Sequence, residues 1–195
     1  MKRLFDIVSS LLGLLFLFPV LILISLVIFA TSRGGVFYSQ TRVGKNQKHF
    51  KLLKFRTMKP NSDKASQLTV GENDSRITGI GGVLRKLKLD EIPQLLNVIR
   101  GEMSIVGPRP EVPKYVDLYS EEQLKVLSVR PGLTDLASIE FINENEILGN
   151  SENPEKEYVE VIMPKKLRLN IKYIENQTFL GDIKLIFKTF GKILV

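Results

Sequence analysis

Asp90 and Glu91 stand side by side, a few residues after a basic run of Arg85, Lys86 and Lys88, with Pro93 two positions further on. The same stretch, "LRKLKLDEIPQLLNVIRGEMSIVGPRPE" from Leu84 to Glu111, closes on Arg109 between Pro108 and Pro110, which restrict the backbone carrying it. Upstream, "KFRTM" offers Lys54 and Arg56 on a strand-like run. Two carboxylates among several cations suit a substrate with several phosphate charges. A carboxylate attacking phosphorus meets like-charge repulsion, so arginines and a divalent cation must neutralise the oxygens. Mg²⁺ is the natural ion, because oxygen ligands are present and the chain has no cysteine. A structural role for the pair also stays open, since Asp followed by Glu commonly starts a helix for stability alone.

Composition narrows the chemistry further. The chain has 195 residues, enough for one domain plus an appendage, and a formal charge of +7 that predicts an anionic partner. Without cysteine there are no thiol nucleophiles, disulfides or thiolate metal sites. The single histidine, His49, lies in the lysine-rich "GKNQKHFKLLK" and reads as a solvated surface residue, which makes a Ser-His-Asp triad or a multi-histidine metal site improbable. Acid-base and nucleophilic work falls to carboxylates, lysines or hydroxyls.

The elements that must position these groups are an α+β set, mainly helical. Val36–Tyr38 and Phe50–Phe55 predict a small β-hairpin with its turn in "RVGKNQ". Residues 60–79 are expected to form a mobile loop. Gly79, Gly81 and Gly82 make a G-x-G-G cluster that lacks the full dinucleotide fingerprint and is weak on its own as a nucleotide site. Ile92, Leu95, Leu96 and Ile99 share one face of a helix from Glu91 to Ile99, and Pro93 confines the helix start to Asp90 as N-cap. The acid pair is then expected at the positive end of a helix dipole. Gly101 ends that helix. Residues 120–128 predict a helix capped by Ser120, Arg130–Thr134 a turn, 143–157 an acidic loop, and 158–175 a helix interrupted near Pro164.

Two segments point to a bilayer. Residues 11–30, "LLGLLFLFPVLILISLVIFA", are uncharged and long enough to cross one, and longer than a signal peptide needs. Pro19 near the middle predicts a kink or break. Lys2 and Arg3 precede the run, and Arg42, Lys45, Lys48, Lys51, Lys54, Arg56 and Lys59 follow it. A re-entrant hairpin keeps both basic groups on the cytoplasmic side, whereas a single-pass helix puts one on the wrong side. Prolines are tolerated in spanning helices, so physics alone leaves the two open. At the other end, Thr178 to Val195 sets Lys184, Lys188 and Lys192 opposite Phe179, Leu180, Ile183, Ile186, Phe187, Phe190, Ile193 and Leu194. That pattern fits an interfacial helix on anionic lipid, or an ordinary helix packed on the core with a solvated lysine face.

Four stretches, "KRLFDIVSSLLGLLFLFPVLILI", "GGVFYSQTRVGKNQKHFKLLKFRTM", "DSRITGIGGVLRKLKLDEIPQLLNVIRGEMSIVGPRPE" and "VRPGLTDLASI", run in the order and near the spacing of one family. The whole chain resembles the monotopic bacterial phosphoglycosyl transferases, the small bacterial sugar transferases that prime glycan assembly. The closing "LGDIKLIFKTF" is similar to the family's C-terminal helix. The resemblance implies transfer of a sugar 1-phosphate from a UDP-sugar to undecaprenyl phosphate, with release of UMP, at the start of a surface glycan such as O-antigen, capsule, exopolysaccharide or glycoprotein glycan. It implies Asp90 as the nucleophile of a covalent phosphosugar intermediate, Glu91 as Mg²⁺ ligand, and Arg85 and Arg109 on phosphates. It also implies a re-entrant helix broken at Pro19, although the serine that often precedes that proline is Phe18 here.

The organisation expected is therefore a membrane anchor over 1–32 and a cytosolic catalytic domain over 33–195, with an amphipathic helix at 178–195. The protein is expected on the inner (cytoplasmic) bacterial membrane, monotopic and facing the cytoplasm. Its partners would be the UDP-sugar, undecaprenyl phosphate and membrane lipids, with a homodimer compatible. Nucleic acid is not expected, since no standard binding motif is present. The rival is a membrane-tethered, non-catalytic protein that binds anionic lipid or a glycan-assembly partner. It accounts for the charge and the anchor, but not for the dyad beside Arg85 or for "GPRP".

Overall fold

The computed structural model describes residues 1–62, 68 and 74–193. It begins with one long apolar helix, α1 (Lys2–Thr31), and Pro19, the expected break point, lies within it. A face of α1 carrying Asp6, Ser10, Ile24 and Ile28 is buried, whereas Leu15 and Phe16 on other faces are largely exposed.

The expected hairpin follows as β1 (Phe37–Val43) and β2 (His49–Phe55), paired antiparallel from Phe37 opposite Phe55 to Val43 opposite His49. Asn46 and Gln47 take positive φ in the turn, and His49 is exposed as expected. Half of the 60–79 stretch expected to be mobile, residues 63–67 and 69–73, lies outside the described residues. Helix α2 (Gly79–Lys86) is capped by Thr78, whose hydroxyl accepts from the Gly81 amide at 3.1 Å. A Cβ on Gly81 would stand 2.2 Å from the Thr57 carbonyl oxygen, so that glycine serves close packing of α2 on the chain after β2, whereas Gly79 and Gly82 have open space at the Cβ position.

The dyad segment departs from expectation. Asp90 is not an N-cap: it lies inside a 3₁₀ turn, Leu89–Glu91, entered through Lys88 at φ 55, and α3 runs only over Gln94–Arg100. Pro93 has no amide hydrogen, so the i→i−4 ladder cannot run through it, and the α-helix starts one residue later. The carboxylates therefore precede α3 rather than crown its first turn. The buried side chains of α3 are Gln94, Asn97 and Val98, while Leu96, expected on the apolar face, is exposed. Gly101 ends the helix in the left-handed region as expected.

Arg130–Thr134 is not simply a turn. Its end forms β4 (Gly132–Thr134), parallel to β3 (Ser104–Val106). Next to β3, α4 (Pro113–Val116) follows the "GPRP" turn. Ser120 accepts from the Gln123 amide and the Gln123 side chain accepts from the Ser120 amide, a reciprocal cap that opens a 3₁₀ helix, Gln123–Ser128. The acidic 143–157 region, expected as loop, contains α6 (Glu144–Gly149) and α7 (Pro154–Glu157), reached from α5 (Leu136–Glu140). Asn153 accepts from the Lys156 amide and Pro154 takes the first helical position, so local capping makes a helix of a stretch with no apolar period. The break near Pro164 is a π-turn, Tyr158–Ile162, that runs into α8 (Met163–Glu175). The last helix is α9 (Phe179–Ile193). Val112, Tyr115, Val126, Leu148, Tyr158 and Leu167 form the largest core, under the C-terminal helices. A second core joins Ile24 and Ile28 of α1 to Phe55 and Leu84, and a third joins Phe50 and Leu52 to Val98 and Met103.

Candidate active site

Three elements meet at Glu91. The 3₁₀ turn after α2 supplies the dyad, β2 supplies Lys54, and the turn after β3 supplies Arg109. Lys54 Nζ donates to Glu91 Oε1 at 2.9 Å, Arg109 Nη1 donates to Oε2 at 3.1 Å, and Arg109 Nη2 also donates to Oε1. The guanidinium thus grips the carboxylate with two nitrogens, the geometry that gives arginine its specificity for planar anions. Asp90 beside it is 5% exposed. Among the described residues, no hydrogen bond or ion pair engages its carboxyl.

The two carboxylates are pushed in opposite directions. Burial lifts Asp90 above the usual aspartate range; Lys54 and Arg85 oppose this, and the Glu91 charge adds to it. Burial acts to raise Glu91 as well, but the charges and hydrogen bonds of Arg109 and Lys54 together hold it well below the usual glutamate range. Burial pushes the Lys54 ammonium below its ordinary value against the pull of Glu91, while Glu91 raises Arg109. Burial also lowers the Arg85 guanidinium, with Asp90, Asp74 and Glu91 opposing. Neighbouring acids whose environments push them apart in this way are candidates for different roles in one site.

Of the residues expected from sequence, Asp90, Glu91, Lys54, Arg85 and Arg109 come together. Arg56 does not join them. It lies one residue past β2, where its guanidinium donates to the carbonyls of Gly35 at 2.9 Å and Phe37 at 3.1 Å and braces the entry to the hairpin.

Two positioning residues were not singled out in the sequence. Asn97, wholly buried, donates to the Lys51 carbonyl at 2.8 Å and accepts from the Leu53 amide at 3.0 Å, which fastens α3 to the free edge of β2 and brings Lys54 to Glu91. Nothing in the pattern marks this asparagine, since the contact spans more than forty residues. Asp135, also wholly buried, accepts from the Arg109 amide at 3.1 Å with one oxygen and from the Ser138 amide at 2.6 Å with the other. It caps α5 and fixes the backbone of Arg109 at once. An Asp before a short apolar run was the available signal.

Among the described residues no group of three or more His, Cys, Asp and Glu converges. Mg²⁺ is typically held by one or two carboxylates, with substrate phosphates and water completing the shell, and Glu91 is the carboxylate that would hold it here.

A family model described as bacterial sugar transferase matches residues 1–195. The exopolysaccharide production protein ExoY of Sinorhizobium fredii is 37% identical over 203 residues, covering 96% of this chain and 83% of that protein. The uncharacterised sugar transferase EpsL of Bacillus subtilis is 37% identical over 196 residues, covering 100% of this chain and 88% of its own length. A UDP-glucose:undecaprenyl-phosphate glucose-1-phosphate transferase of Caulobacter vibrioides is 35% identical over 196 residues, covering 99% of this chain and 69% of that enzyme. The likeness runs the length of the chain, through the dyad turn, the hairpin and the "GPRP" turn that the fold gathers into one charged cluster, and the chain belongs to the bacterial sugar transferase family, as a phosphoglycosyl transferase.

Proposed function

We propose that the protein moves a sugar 1-phosphate from a UDP-sugar to undecaprenyl phosphate in two displacements at Asp90. The observation that carries this reading is the asymmetry of the dyad: Glu91 is held as an anion by Lys54 and Arg109, while the buried Asp90 carboxyl is unengaged. A carboxylate oxygen of Asp90 attacks the sugar-bearing phosphorus. The bond from that phosphorus to the bridging oxygen breaks, and UMP leaves with the electron pair. An oxygen of undecaprenyl phosphate then attacks the same phosphorus, expels Asp90 as carboxylate, and yields the lipid diphosphate sugar. Lys54, Arg109 and Arg85 are the cations at the dyad that would meet the phosphate oxygens. Mg²⁺ bound through Glu91 would draw charge off those oxygens and lessen their repulsion of the incoming carboxylate.

A lipid acceptor requires an anchor, and the proposed one is residues 1–32, re-entrant in the cytoplasmic leaflet, with the catalytic domain over 33–195. Helix α9 supports a second contact. It turns Asp182 and Thr189 to the protein, where Asp182 meets Lys2 and Tyr173 and Thr189 meets Thr134. Leu180, Phe187 and Phe190 are left exposed, and Phe179 stacks edge-on with Phe5 of α1 at 5.4 Å. A helix with a polar inner side and bare phenylalanines outside suits the lipid interface.

The test is release of UMP by membrane-extracted protein given undecaprenyl phosphate, Mg²⁺ and a panel of UDP-sugars. UDP-glucose comes first, because the Caulobacter relative is named for it. Wild type is expected to form UMP and Asp90→Asn to lose it by a factor of about a thousand or more. Equal release by both would remove Asp90 as the nucleophile.

A further inference from the structure

Lys2, Arg3 and Asp6 precede the apolar run, where basic residues are ordinarily read as topology signals. In the fold all three are hydrogen-bonded into the domain. Asp6 is 3% exposed, and it accepts from the Ser104 hydroxyl at 2.9 Å and from the Ile105 amide at 3.2 Å. Lys2 Nζ donates to the Val106 carbonyl at 3.0 Å and to Asp182 at 2.5 Å. Arg3 donates to the carbonyls of Ile99 at 3.1 Å and Met103 at 3.4 Å, at the end of α3 and just beyond it.

These partners are not scattered. Among the described residues, strand β3 has one partner strand, and its other edge would leave backbone groups unpaired. Asp6 and Lys2 cover that edge at Ile105 and Val106, and the next three residues are Gly107, Pro108 and Arg109. Arg3 holds the far end of α3, whose near end is continuous with Asp90 and Glu91. Both halves of the Glu91–Arg109 pair are therefore supported by the first two turns of the membrane helix.

We propose that Lys2, Arg3 and Asp6 act as positioning residues that set Arg109 against the Asp90–Glu91 turn, so that the anchor is part of the support of the active site and not only its tether. This rests on the transferase reading for its kinetic consequence, but not for its structural one. Asp6 is the discriminating residue, because acidic side chains contribute little to membrane orientation.

The experiment compares full-length Asp6→Ala, Asp6→Asn and Ser104→Ala with wild type in membranes. Asp6→Ala is expected to stay in the membrane fraction and to lose about a hundredfold in kcat, the scale of an ångström misplacement, with a smaller change in the KM for the UDP-sugar. Asp6→Asn keeps one acceptor oxygen and recovers part of the loss. Ser104→Ala is milder, and its effect does not add to that of Asp6→Ala. A second readout needs no turnover: the rate at which phenylglyoxal modifies Arg109, followed by mass spectrometry, rises in Asp6→Ala. If wild type shows no transferase activity but Asp6→Ala exposes Arg109, the reaction is wrong and the support stands. Wild-type kcat together with an unchanged Arg109 modification rate in Asp6→Ala would overturn it.

Discussion

At the scale of single residues, Lys54 favours the ionised form of both carboxylates. It is the largest of the charges opposing the rise of Asp90, and it also helps to hold Glu91 down. In the proposed reaction the attack on phosphorus needs Asp90 ionised, so its raised pKa is expected to place the acid limb of the pH–rate profile above the ordinary aspartate value. Replacing Lys54 by Met keeps the burial and removes the opposing charge. Asp90 then holds its proton to higher pH, and the acid limb of kcat/KM moves up, with activity at the optimum falling about a hundredfold for the lost phosphate partner. A pH series of UMP release by Lys54→Met and wild type checks both. A limb that stays in place would separate it from Asp90. Most of the charged cluster is legible in the sequence because Arg85, Asp90, Glu91 and Arg109 lie in contiguous motifs, the dyad turn and "GPRP". A basic residue on a strand-like run, such as Arg56, shows nothing of what its guanidinium meets, here the Gly35 and Phe37 carbonyls. Asn97 and Asp135 were missed because their work is done on backbone groups far away in sequence.

At the scale of elements, the placement of Arg109 comes down to two strands of three residues each. Gly107 and Gly132 cross so closely that a Cβ on Gly132 would lie 2.2 Å from the Gly107 amide nitrogen and 2.4 Å from its carbonyl oxygen. Backbone cannot yield as a flexible side chain can. Gly132→Ala is expected to cost about 3 kcal/mol and to lower Tm by about 10 °C, read by thermal unfolding in detergent, with kcat falling as the "GPRP" turn shifts. An alanine accepted without loss of Tm would mean that the strands can part there. The same pairing explains what the sequence concealed. The hairpin was readable because its strands are neighbours with turn residues between them. Strand β4 reads as a turn because three residues with Pro and Gly show no period, and their partner lies 28 positions upstream in register, Ser104 against Gly132. The dyad helix was misplaced because its apolar residues suggested a face for the core, whereas the domain buries Gln94 and Asn97 and leaves Leu95 to touch Gly13 of α1.

At the scale of the whole molecule, α1 bears on how the protein meets the bilayer. Thirty residues of straight helix would run about 45 Å, longer than the roughly 30 Å hydrocarbon core. A helix that leaves a cytosolic domain to cross a membrane touches that domain near one end only. Here the contacts run along the length, with Asp6 on Ser104 and Ile105, Gly13 by Leu95, and Ile24 and Ile28 against Phe55 and Leu84. The remaining faces carry Leu11, Leu12, Leu15, Phe16, Phe18 and Leu23, all exposed apolar side chains that water would not favour. A helix lying against the domain and presenting its other side to lipid would keep both of its ends on the domain's side of the membrane, as the proposed re-entrant anchor requires. The chain has no cysteine, so single-cysteine variants report this directly. A cysteine added ahead of Met1 and an Arg33→Cys variant are both expected to react with a membrane-impermeant maleimide in inverted vesicles and not in intact spheroplasts, while Phe16→Cys is protected in both. Labelling of either end from outside the cell would replace the re-entrant anchor with a spanning one. It would also require α1 to leave most of the contacts that now hold it to Phe55 and Leu84 on one side or to β3 on the other.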